Sequence, residues 1–208
     1  MSRRFVLASA SPRRRELLGA LGAVFDIQPA DIDEVGVAAG FPPEQGVLAV
    51  ARAKASTRND GSVPVLAGDT IVVLDGAVLG KPANDAEGRR MLESLSGRAH
   101  RVYTAVCVRD GAAEHAVLVE STVGMRRLSR AEIDAYIVSG QGRDKAGGYG
   151  IQDEGFAPVA SIEGCYCNVM GLPLWTTGHL LARIDATPPI SPRVAFPRCA
   201  VCPHARAD

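Results

Sequence analysis

Apolar positions along this chain follow two periods. Short runs at 4–9 and 25–28 predict strands. Leu17, Leu18 and Leu21 recur at helical spacing and predict a helix over 12–21 that stops at Gly22. Val47, Leu48, Val50, Ala51 and Ala55 give 43–58 one apolar helical face. The stretch VPVLAGDTIVVLDGAVLGKP predicts a strand through Leu66 and Val73, a tight turn at Asp75–Gly76 and a short return. Met91, Leu92 and Leu95 mark a helix over 84–95, ended by Gly97. Two long strands, 101–109 and 113–127, meet at Asp110–Gly111. Ser129 and Glu132 have capping-box spacing and open a helix to about residue 138. A last helix covers 173–184.

Strands alternate with helices around a central hairpin pair. That order predicts an α/β fold, a mixed twisted sheet flanked by helices with a central cleft, rather than a doubly wound parallel sheet. Residues 1–185 read as one domain. From Ala186 onward the chain is Pro-rich without periodicity, so 186–208 reads as a loose Cys-bearing tail.

Charge narrows the function. Lys plus Arg equals Asp plus Glu at 23 each, so no global field favours a nucleic acid polymer or a membrane surface. Any anion recognition is local. No apolar run approaches the roughly 18–20 residues that span a bilayer. The N-terminal FVLA is too short for a signal-peptide core of about 7–15 residues. Five Cys, an odd number, then suggest reduced thiols and a cytoplasmic location. Among the basic residues 20 are Arg and only three are Lys, namely Lys54, Lys81 and Lys145.

Several stretches carry chemistry. In LASASPRRRELL, Ser11 reads as a helix cap and Pro12 as the first helical residue, which sets Arg13, Arg14 and Arg15 in the first turn. Cations are disfavoured there. A bound polyphosphate would offset that cost, because helix N-terminal amides already favour phosphate; side chains splayed into solvent are the alternative. Asp69 interrupts an apolar strand, either as a bulge that bonds its own backbone or as a carboxylate that binds a metal or deprotonates water. Asp31 to Glu34 form either a solvated acidic loop or a source of oxygen ligands for Mg²⁺ or Mn²⁺. Lys81 follows the hairpin, and the Gly-rich DKAGGYGIQ lets backbone approach a ligand, with Gln152 able to read a base edge. Cys199 and Cys202 have zinc-ligand spacing, but only Cys165 and Cys167 are left to complete four ligands, so free thiols are expected.

Taken together, LASASPRRRELL, DIDE, ARAKA, AGDTIVV, LGKP, LSGRAHRVYTAV, DKAGGYGIQ and GLPL resemble the Maf family of nucleoside triphosphate pyrophosphatases, in that family's order, over about residues 5–184. The resemblance implies a fold related to inosine triphosphate pyrophosphatases. It implies metal-dependent hydrolysis of a nucleoside triphosphate, dTTP or UTP in the subgroup matched, to the monophosphate and pyrophosphate. Asp69 matches the proposed proton acceptor. Arg13, Thr70 and Gln152 match positions tied to substrate preference, and Ser11, Arg14, Glu34, Lys54 and Lys81 match other polar site positions. Glu34 and Asp69 are the expected metal ligands. A homodimer is implied as well. A nucleotide-binding regulator of septum formation is the second reading. Asp153 departs from the pattern, which usually has Gly after the Gln.

Overall fold

In the computed structural model, which describes residues 3–57, 63–153 and 155–205, one seven-stranded mixed sheet organises the chain. Its strands are β1 (Phe5–Leu7), β2 (Phe25–Ile27), β3 (Val65–Leu74), β4 (Ala77–Leu79), β5 (Ala99–Asp110), β6 (Ala113–Met125) and β7 (Val159–Gly164). They lie in the order β2-β1-β3-β5-β6-β7, with β4 paired to the far end of β3. β1 runs parallel to both β2 and β3, and all other pairs are antiparallel. The helices are α1 (Pro12–Ala20), α2 (Glu34–Ala38), α3 (Pro43–Ser56), α4 (Asp85–Leu95), α5 (Arg130–Ser139), α6 (Tyr166–Val169), α7 (Leu174–Ala182) and α8 (Pro192–Ala195).

The alternation of β3 sorts the core. Val65, Ala67 and Val73 face α3, where Val47, Ala51 and Ala55 meet them. Leu66 faces the other way, into a cluster with Leu17 and Leu18 of α1 and Leu174 and Leu181 of α7. Val72 and Leu74 continue on that side beneath α4 and α5 with Leu92, Leu95, Ile133 and Ile137. A period of two is what lets one strand serve two layers.

Local signals act where expected. Ser11 Oγ accepts the Arg14 backbone N–H at 3.4 Å, with Pro12 at the first helical position. Both halves of the Ser129–Glu132 capping box form. Asp75 (φ 51°) and Gly76 (φ 81°) both take positive φ, which the tight hairpin between β3 and β4 requires.

Four elements escaped the pattern. α2, α6 and α8 are one turn or little more, too short for a helical period, and β7 lies at the sheet edge with mixed polarity. The segment after Asp185 is not loose. α8 and a 3₁₀ turn over Pro197–Val201 bring Ala186, Cys199 and Cys202 into the core beside α7. Trp175 Nε1 donates to the Cys199 carbonyl at 2.9 Å, and Ile190 N–H to the Leu21 carbonyl at 3.0 Å. Its buried residues are Ala, Cys and Pro rather than Leu or Ile, so the hydrophobic period was silent. The helix expected to reach 58 is described to Ser56; residue 58 and the last three tail residues lie outside the described residues. No described helix is long and apolar enough to cross a membrane.

Candidate active site

β3 pairs with β1 as far as Leu66 and with β4 only from Val72. Between them its outer edge has no strand neighbour among the described residues, while β5 holds its inner edge. This interval, next to the carboxyl end of β1, is where open α/β sheets leave a crevice for ligands. It also explains how Asp69 and Thr70, which point to opposite faces of the sheet, reach one space. A cleft of about 920 Å³ opens there. Ser11, Arg13, Arg14, Glu34, Lys54, Asp69, Thr70, Lys81 and Gln152, all nine expected residues, line it.

On the α3 side, Lys54 Nζ lies 2.9 Å from Asp69 Oδ1 and 2.8 Å from Glu34 Oε1. Lys54 and Asp69 are nearly buried, whereas the Glu34 side chain is 53% exposed. Asp69 is therefore no bulge. It sits in a regular ladder opposite Ala105, and Lys54 supplies the partner that a carboxylate in a strand interior needs. Asp33 caps α2 by accepting the Gly36 N–H at 3.0 Å, which sets Glu34 on the cleft side of that turn.

On the opposite side, Arg14 is buried. Its Nε donates to the Gly171 carbonyl at 2.9 Å, Nη1 to Ser9 Oγ at 3.0 Å and Nη2 to Thr70 Oγ1 at 3.0 Å. Thr70 Oγ1 in turn meets Thr104 Oγ1 at 3.0 Å, and Thr104 donates to the Asn168 carbonyl at 2.9 Å. Burial holds the Arg14 guanidinium below its ordinary pKa, and nearby Asp69 works against that shift. The three arginines thus divide: Arg14 braces the floor, Arg13 faces the cleft with Asp144 3.7 Å away, and Arg15 points to solvent.

The Gly-rich loop forms the remaining wall. Gly147 (φ 71°) docks by its N–H on the Gly80 carbonyl at 3.0 Å, and a Cβ there would press on Val72 at 3.1 Å. Lys81 stands exposed at the rim, and Gln152 is exposed in a turn on the far lip. Lys145, which also lines the cleft, pairs with Asp144 at 3.1 Å and lies 3.9 Å from Asp153. Asp153 turns under the loop, where Tyr136 Oη donates to its carboxylate. The same Tyr136 oxygen accepts the Gly150 N–H at 3.2 Å. Sequence reasoning missed Tyr136 as a support for this loop. Its signal was a polar-tipped aromatic on the inner face of α5, a position that Leu or Ile would fill if packing alone mattered.

Two carboxylates on one ammonium also describe how a hard divalent ion could be received. Mg²⁺ takes oxygen donors and is commonly held by one or two carboxylates together with substrate phosphates. Glu34 and Asp69 fit that donor set, with Lys54 as the group that shares them.

A family profile described as Maf-like protein matches residues 4–184. A dTTP/UTP pyrophosphatase of Anaeromyxobacter dehalogenans (strain 2CP-C) is 52% identical over 187 residues, covering 88% of this chain and 95% of the relative. A dTTP/UTP pyrophosphatase of Thermomicrobium roseum is 46% identical over 209 residues, covering 98% of this chain and 94% of the relative. Among solved structures, a HAM1 protein from Coxiella burnetii matches with a TM-score of 0.46 and 18% identity, over 88% of this chain and 96% of that one. With the profile spanning nearly all of the sheet and the cleft, the chain belongs to the Maf family.

Proposed function

We propose that this protein is a nucleoside triphosphate pyrophosphatase acting on dTTP and UTP, giving the monophosphate and pyrophosphate. The arrangement that carries the reading is a cleft with cations on several walls around one carboxylate pair, Glu34 and Asp69 on Lys54. The dTTP/UTP pyrophosphatase activity for which relatives at about half identity over most of their length are named supports it.

The phosphates lie over the start of α1, against the Arg13 backbone N–H and the side chains of Ser11 and Arg13. Lys81 and Lys145 neutralise their outer oxygens. Asp69 accepts a proton from the attacking water, which adds to the α-phosphorus as pyrophosphate leaves. Lys54 holds that carboxylate in position. A bound Mg²⁺ or Mn²⁺ on Glu34 and Asp69 would supply charge neutralisation at the triphosphate. Arg14 acts from beneath by fixing Thr70. The base rests on the lip near Gln152, whose amide matches the hydrogen-bonding edge of a pyrimidine. The protein is proposed to work in the cytoplasm as a homodimer.

Pyrophosphate release from dTTP, UTP, CTP, dATP and GTP with Mg²⁺ or Mn²⁺ tests this. Turnover of dTTP and UTP above the others, abolished in Asp69→Asn and weakened in Arg13→Ala, is expected. Binding without release would reduce the cleft to a nucleotide sensor. Wild-type turnover in a folded Asp69→Asn variant would remove Asp69 as the base.

A further inference from the structure

Four of the chain's five cysteines converge away from the cleft. Cys165 and Cys167 flank the start of α6, and Cys199 and Cys202 come from the C-terminal segment. Cys167 Sγ lies 3.3 Å from Cys199 Sγ across 32 residues of sequence. Burial and then the neighbouring Cys202 push the Cys165 thiol up to about 12, and Cys199, burial, Cys165 and Cys202 push the Cys167 thiol up. All four are buried and free of disulfides. The Asn168 backbone N–H donates to the Cys165 carbonyl at 3.1 Å, which closes the turn around these two cysteines.

We propose that these four thiols form a structural zinc site that staples the C-terminal segment to the end of the sheet. The donor chemistry selects the ion. Four sulfurs are a soft set suited to tetrahedral Zn²⁺, and the Cys199–Cys202 spacing is that of zinc-binding pairs. The location supplies the need. α8 and the adjoining 3₁₀ turn are single-turn elements with few large apolar side chains, and a metal on the four sulfurs would add a strong tether to the Trp175–Cys199 and Ile190–Leu21 hydrogen bonds that hold the segment over α7. As placed, no three His, Cys, Asp or Glu among the described residues already form a metal cage. The 3.3 Å Cys167–Cys199 contact is shorter than the roughly 3.8 Å edge of a four-thiolate zinc tetrahedron built from Zn–S bonds of about 2.3 Å. Forming the site takes side-chain rotations that open that contact by about half an ångström and turn the Cys165 and Cys202 sulfurs toward a common centre, with loss of the thiol protons.

The test uses the full-length protein, purified under reducing conditions without added metal and analysed for Zn, Fe and Cu by plasma mass spectrometry. One zinc per chain is expected. It should persist in Glu34→Gln and in Cys107→Ser, and be lost in Cys202→Ser and Cys165→Ser. Should those variants fail to fold, cobalt substitution of the wild-type protein gives an independent reading. Intense visible ligand-field absorption with near-ultraviolet thiolate charge transfer marks a tetrahedral sulfur site. Three results overturn the proposal: metal-free protein whose thiols take up neither zinc nor cobalt, a cluster loaded with iron or copper instead, or a Cys167–Cys199 disulfide seen as two missing thiols in denatured protein. Zinc that disappears with Glu34→Gln overturns it too, because the metal then belongs to the cleft.

Discussion

Lys54 and Asp69 meet at 2.9 Å in the middle of the sheet, where α3 crosses the stretch of β3 that pairs with β5 alone among the described strands. A buried ammonium and a nearly buried carboxylate each need the other, and the pair ties the scaffold to the site. Glu34 joins the same ammonium from the more exposed side at 2.8 Å.

Lys54→Met keeps most of the side-chain volume and removes the charge. Two carboxylates then share the cleft without their cation. The expected result is a drop of about a hundredfold (~2.7 kcal/mol) in kcat/KM for dTTP. The apparent melting temperature falls as well. Glu34→Gln, at the exposed end of the same network, should leave melting almost unchanged and raise the Mg²⁺ concentration needed for half-maximal rate. Pyrophosphate release over a Mg²⁺ series and thermal melting check both variants.

Arg14 makes three directional bonds to three separate segments, at Gly171, Ser9 and Thr70. A lysine at this position reaches at most one of them and leaves the others buried and unpaired. Arg14→Lys should cost about 2–4 kcal/mol of unfolding free energy in urea melts, since bonds to a charged group contribute more than neutral ones. A change within about 0.5 kcal/mol, the range of an ordinary surface substitution, would show that the guanidinium does not brace the floor.

The strands and helices with long apolar faces were legible because burial imposes a period, and the cleft residues were legible because charges interrupt that period. Asp69 stood out inside an apolar strand, and the arginines stood out against the helix dipole. What was not legible is how the charges divide their tasks. Arg13, Arg14 and Arg15 are adjacent and identical in sequence, yet Arg13 faces into the cleft half-buried, Arg14 is buried in its floor and Arg15 is solvated. That division follows from the 100° turn between helical neighbours and from which partners lie beneath each, here Gly171 from 157 residues away. The C-terminal segment failed for a different reason. Its burial is carried by cysteines whose partners lie in another segment, a relationship that no local pattern encodes.

Tyr136 is expected to control the far lip of the cleft. Its hydroxyl accepts the Gly150 N–H and donates to Asp153, and its ring stacks on Phe156 at 3.9 Å. Tyr136→Phe keeps the stack and strips both hydrogen bonds, leaving groups unpaired at a cost of about 1–3 kcal/mol. Because Ile151 and Gln152 hang from this anchor, the KM for dTTP should rise about 3–10-fold, or ~0.7–1.4 kcal/mol, with a smaller change in kcat. Asp153→Asn retains an acceptor for Tyr136 and should remain close to wild type in both constants. Equal KM values for Tyr136→Phe and wild type would separate the loop from substrate binding.

His100 supplies a pH dependence of stability. It is buried in β5 with Nε2 2.7 Å from Tyr149 Oη, and Nδ1 has no partner among the described residues. Burial lowers its pKa from 6.5 to about 4. The imidazole is therefore neutral in the folded protein at pH values where the unfolded chain already binds a proton. Above about pH 6.5 both states are neutral and the group contributes no slope. Below it the unfolded state takes up the proton first, so stability falls between about pH 6.5 and 4 and levels off beneath, by roughly 3 kcal/mol in total. His100→Gln can still bond Tyr149 but cannot charge. Urea melts across that window should lose most of their pH slope in the variant, with little change at pH 8; an unchanged slope would assign the acid sensitivity to other groups.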